Sequence, residues 1–154
     1  MLFLILTVSS NIIFADPHKD LQKALLCETT KTPGQMYKLT KKLNGHVPLN
    51  KNSSFEGEYT FINSFRLFNI PLNKFYIHRL TDLNNQVFYE YSTPFFEESI
   101  HEVAKYANLK KDYLTNIYSR RIGLNELSIR IENGKTFLIC TQNKLFLKSE
   151  EQSK

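Results

Sequence analysis

Apolar and polar positions alternate along this chain with two periods, and the switches between them divide it into elements. Asp16-Pro17 reads as a helix cap followed by proline in the first turn. Leu21, Ala24 and Leu25 then repeat at i, i+3 and i+4, one apolar stripe of a helix ending near Cys27. Thr32-Pro33-Gly34-Gln35 has the spacing of a capping box, and Met36, Leu39 and Leu43 form the stripe behind it. Gly45 stands where a glycine ends a helix. Residues 46–57, with Pro48, Asn50, Asn52, Ser53, Ser54 and Gly57, read as a loop.

The period then falls to two. Tyr59, Phe61, Asn63, Phe65 and Leu67 alternate with Glu58, Thr60, Ile62, Ser64 and Arg66, which predicts a half-buried strand. A turn around Pro71, from Asn69 to Asn73, leads to a second strand from Lys74 to Leu80. A turn at 82–85 leads to a third from Gln86 to Tyr91, with Val87, Tyr89 and Tyr91 on one face. Thr93-Pro94 predicts the start of a third helix, with Phe96, Ile100, Val103, Ala104 and Ala107 on one side and Asn108 at its end. Residues 109–124 fit either a short helix or an extended crossing.

The last pattern is the sharpest. Leu127, Ile129 and Ile131 alternate with polar residues, Asn133-Gly134 follows, and a second run extends from Lys135 to Thr141. Asn-Gly between two such runs predicts a type I′ hairpin. Its register sets Glu132 opposite Lys135, Ile129 opposite Leu138 and Leu127 opposite Cys140. The order ααβββαββ predicts an α+β domain over residues 16–148. Its antiparallel sheet has about five strands, with helices packed on one face.

Residues 1–15 contain no charged side chain and are mostly apolar. They are too short to span a bilayer and resemble the apolar region of a secretory signal, with Ala15 before the cut. No Lys or Arg precedes the run. The expectation is export to a periplasmic or extracellular compartment, with no integral membrane segment. Export changes the reading of Cys27 and Cys140, the two cysteines of the 154-residue chain. In an oxidising compartment they pair. The hairpin register places Cys140 on the apolar face, within reach of the end of the first helix. Residues 149–154 read as a frayed tail.

The formal net charge of +5 changes the picture less. Lys38, Lys41, Lys42, Lys110, Lys111, Arg120 and Arg121 supply the excess, which suits an acidic partner or an anionic surface as well as simple solvation. Five glycines leave little room for a phosphate-cradling loop. His101-Glu102-Val103-Ala104-Lys105 lacks the second histidine of a zinc-binding helix, and Lys105 there opposes a cation. His18, His46 and His78 are scattered, and a dispersed Ser-His-Asp set has no sequence signature. No motif calls for catalysis, a metal or a cofactor.

Aromatic residues crowd between Phe55 and Phe96. Strand and core packing accounts for most of them, and export argues against a nucleic-acid partner. Helices cover one part of such a sheet, so some rings remain for recognition. Tyr76, Tyr89, Tyr91 and Phe137, with Arg120 and Arg121, are the candidate partner-binding residues. The expectation is a non-enzymatic protein-binding domain of inhibitor or immunity type. The alternative is an apolar small-molecule or lipid-binding module in the same compartment, and a third is a hydrolase with dispersed residues.

Overall fold

Asp16 caps the first helix, α1 (Pro17–Leu25), by accepting the His18 N–H on its side chain. Thr32 caps α2 (Pro33–Lys42) through the reciprocal Thr32–Gln35 box that the spacing predicts. The computed structural model describes residues 16–48, 55–83 and 85–142. The expected signal at 1–15, residues 49–54 of the expected loop and the tail at 149–154 lie outside the described residues.

Seven strands follow: β1 (Gly57–Leu67), β2 (Ile70–Thr81), β3 (Val87–Phe95), β4 (Lys110–Lys111), β5 (Tyr118–Ile122), β6 (Asn125–Glu132) and β7 (Lys135–Thr141). A short helix, α3 (Ile100–Tyr106), lies between β3 and β4. All the strands join one antiparallel sheet in the order β1-β2-β3-β7-β6-β5-β4. The class is α+β, but seven strands lie among the described residues where the patterning predicts five. The difference lies in 109–124, where β4 and β5 form a hairpin too short to show a period.

Three boundaries also move. The β1–β2 turn is Phe68-Asn69, both with positive φ (53° and 64°), so Pro71 lies within β2. Thr93 and Pro94 continue β3 and do not open a helix. Past Ser92, β3 pairs with β7 on one side and no longer with β2, so proline's missing N–H is tolerated as at a sheet edge. The cap of α3 is Ser99, in a reciprocal box with Glu102. Lastly, Asn44 and not Gly45 takes the left-handed position after α2 (φ 55°). The Gly45 N–H bonds to the Thr40 carbonyl at 2.9 Å, and the Asn44 N–H to that of Lys41 at 3.1 Å.

The β6–β7 hairpin forms in the expected register, with Asn133 and Gly134 at φ 50° and 74°. Alternation assigns its two faces. Leu127, Ile129, Leu138 and Cys140 point to one side, continued across the sheet by Tyr91 and Ile77. These side chains form one core with Leu21, Ala24 and Leu25 of α1, Met36 of α2, and Val103 and Ala104 of α3. Helices α1 and α3 contact the sheet directly, while α2 rests principally on α1. A Cys27–Cys140 disulfide ties the end of α1 to β7, with the Cα atoms 5.3 Å apart. Asn125 reinforces that seam by donating to the Cys27 carbonyl and the Thr30 hydroxyl.

Candidate functional site

The other face of the sheet carries polar and aromatic side chains together. The pairing of Tyr76 with Ser92, Ser92 with Ile139 and Pro94 with Phe137 sets the even positions of β2 and β3 beside the odd positions of β7. Arg130 of β6 stands opposite Phe137. The result is a shallow depression of about 190 Å³ across four central strands. Ile139 and Ser92 are buried at its floor, while Tyr76 and Phe137 are half-buried at its walls.

The aromatic pair has its ring centroids 6.4 Å apart at 49°. Tyr76 also stacks on His78 at 6.0 Å, and the Lys74 ammonium lies 5.6 Å from its ring centroid. Lys74 in turn donates to Glu58 at 2.9 Å. That bond holds the Glu58 carboxyl below its ordinary value and raises the Lys74 ammonium.

Glu90 supplies the depression with a buried carboxylate. It accepts the Thr141 hydroxyl at 3.2 Å, and Arg130 Nη2 lies 3.6 Å away. A buried polar group needs such partners to offset its lost hydration. Arg130 also reaches Glu132 at 3.2 Å, at the exposed rim. The His78 Nε2 is 3.1 Å from the Ser92 hydroxyl. Ser92 is 4% exposed, so this hydroxyl is part of the floor and not presented to a substrate.

The expected site residues divide between the two faces. Tyr76 and Phe137 meet at the depression. Arg121 is exposed on the same face, further out on β5 and opposite Glu126. Tyr91 is a correction: it is fully buried against the helices, and its hydroxyl donates to the Lys31 carbonyl. Tyr89 and Arg120 share that inner side, both half-buried. The physical reason is parity. Tyr76 faces Ser92, so the odd residues of β3 must point away from it.

The histidines stay apart. His18 stacks on Phe65, His46 makes a backbone bridge to Thr60, and the His101 Nδ1 meets the Tyr118 hydroxyl at 2.9 Å. Among the described residues, no three of His, Cys, Asp and Glu converge as a metal site. Sequence reasoning missed Glu90 and Arg130, and it named His78 without its place beside the depression. The Asn-Gly register already placed Arg130 opposite Phe137. The pairing of β3 with β7, which brings Glu90 to them, joins segments some fifty residues apart.

No protein-family model matches the chain, and no curated protein and no solved structure matches it significantly.

Proposed function

We propose that this chain is a small exported domain, periplasmic or secreted, that binds another protein through the sheet face bearing Tyr76 and Phe137. The carrying observation is that aromatic pair, half-buried beside Arg130 on paired central strands. Tyr and Arg are the residue types that anchor protein interfaces, and strands hold them with little rotamer entropy left to lose. Partly covered rings around a shallow hollow suit an inserted partner side chain. Glu90 and Arg130 add a charged pair that fixes its orientation.

Size weighs against the small-molecule alternative. A hollow of about 190 Å³ is below the 300–1,000 Å³ typical of ligand pockets. The space between helices and sheet, where an apolar ligand would lie, is filled by Leu21, Leu25, Met36, Tyr91 and Leu138. Export is supported by the uncharged apolar run at 1–15. The Cys27–Cys140 bond is consistent with an oxidising compartment.

The test is truncation of the pair. Tyr76→Ala and Phe137→Ala each weaken capture of the partner about 30-fold, the effect of losing a hot-spot anchor. Tyr89→Ala, on the other face, leaves capture unchanged. Equal loss in all three variants, or in none, rejects the reading.

A further inference from the structure

The β4–β5 hairpin ends in an unusual tip. Tyr113 is 92% exposed and Leu114 97%, with Ile117 at 47% beside them. Tight turns are ordinarily built from Gly, Asn, Asp and Ser, and two large apolar side chains at a turn cost solubility.

This tip is nonetheless ordered by hydrogen bonds. The Asp112 carboxylate accepts the Leu114 N–H at 2.8 Å and the Thr115 N–H at 3.2 Å. The Asp112 N–H donates to the Ile117 carbonyl, and the Asn116 N–H to that of Asp112, both at 2.8 Å. Asn116 takes the left-handed conformation the turn requires (φ 59°). The backbone is satisfied without burying either apolar side chain, so both are held outward.

Behind the tip stands a cationic collar. Lys110 and Lys111 precede it and Arg121 follows it, all exposed. Asp112 is the acid within the tip, and Glu126 lies opposite Arg121. The Asp112 carboxylate is already engaged by two backbone N–H groups. The lysines are two and three residues from Tyr113, within about 10 Å along the strand. An interfacial headgroup layer is about 5–7 Å deep on each side of a bilayer. Flexible lysine stems span the remainder.

From this juxtaposition, an apolar tip on a rigid turn with cations one headgroup depth behind it, we infer that the β4–β5 hairpin docks on an anionic lipid surface. Tyr113 and Leu114 enter the interface, and the lysines sit at the phosphates. A protein partner fits less well. Two convex side chains fall well short of the roughly 800 Å² per partner that a stable protein interface buries. A bilayer accepts a small wedge because charge attraction supplies the rest of the affinity.

The chain contains no tryptophan, so Leu114→Trp introduces a unique fluorophore at the tip. The full chain is titrated with vesicles of phosphatidylcholine containing one third phosphatidylglycerol, and with pure phosphatidylcholine vesicles. Residues 1–15 carry no charged side chain, so binding through them does not distinguish the two. The expected result is a blue shift of the emission with the anionic vesicles alone, reversed by high salt. Lys110→Glu with Lys111→Glu then weakens partitioning by at least about 25-fold, at about fivefold per cation. Tyr113→Ser with Leu114→Ser, without the fluorophore, abolishes the excess of co-sedimentation with anionic over neutral vesicles. An unshifted emission, an equal shift with neutral vesicles, or tip binding to polyglutamate but not to vesicles overturns the inference.

Discussion

Gly45 shows how a single position is fixed by its neighbours. Its φ is ordinary, but a Cβ there would lie 2.5 Å from the Thr40 methyl and 3.0 Å from the Thr60 carbonyl. The glycine lets α2 close against β1. Gly45→Ala is expected to lower the unfolding free energy by about 1–3 kcal/mol, the cost of an overpacked site, as read by denaturant titration. Glu58 behaves differently because it titrates. Its folded value is depressed below 4.5 by the Lys74 bond. Its contribution is therefore present above that value and fades as pH falls through the folded value. The stability difference between wild type and Glu58→Gln should be small near neutrality, because the pair is exposed, and should vanish in acid. Residue identity alone separated these cases poorly. Tyr76 and Tyr91 look alike in sequence, and the pairing of β2 with β3 puts one in the depression and the other in the core.

At the scale of elements, legibility followed the strength of local chemistry. Thr32–Gln35 and Asn133-Gly134 each impose one backbone geometry, and both formed where the sequence placed them. Phe68-Asn69 makes the same positive-φ turn with weaker residues, so the strand appeared to begin only after Pro71. Thr93-Pro94 has the look of a helix start, but sheet pairing outweighed it, and Ser99, boxed with Glu102, became the cap. The helices α1, α2 and α3 end alike, with Cys27, Asn44 and Asn108 in the left-handed conformation. In each case the next N–H bonds back to the carbonyl five residues earlier, at 2.8–2.9 Å. Thr32→Ala is expected to cost about 1 kcal/mol in thermal or denaturant unfolding, because the Gln35 N–H in the first turn loses its Thr32 hydroxyl acceptor. Thr32→Ser should recover most of it.

Over the whole molecule, the α+β class and the disulfide were legible, and the width of the sheet was not. The bridge joins positions separated by 113 residues and fastens the first helix to a central strand. Closing a loop of that length stabilises the fold by about 4–5 kcal/mol in the chain-entropy model. Cys27→Ser with Cys140→Ser should lose stability of that order. Reductant should destabilise the wild type and leave the double variant unaffected, which calorimetry with and without dithiothreitol checks. The candidate site was legible only in part for a topological reason. Tyr76, Glu90 and Phe137 come from three strands, and no short-range pattern predicts that β7 inserts between β3 and β6.

The central claim is recognition through the sheet face that holds Tyr76 and Phe137. Its most direct test is affinity capture from the native compartment, with wild type, Tyr76→Ala with Phe137→Ala, and Tyr89→Ala compared in parallel and bound proteins quantified by mass spectrometry. The account predicts one stoichiometric protein held by wild type and by Tyr89→Ala and lost from the double variant, with all three chains melting as folded proteins. A partner retained by the double variant contradicts it, as does a co-purifying small molecule in place of any protein.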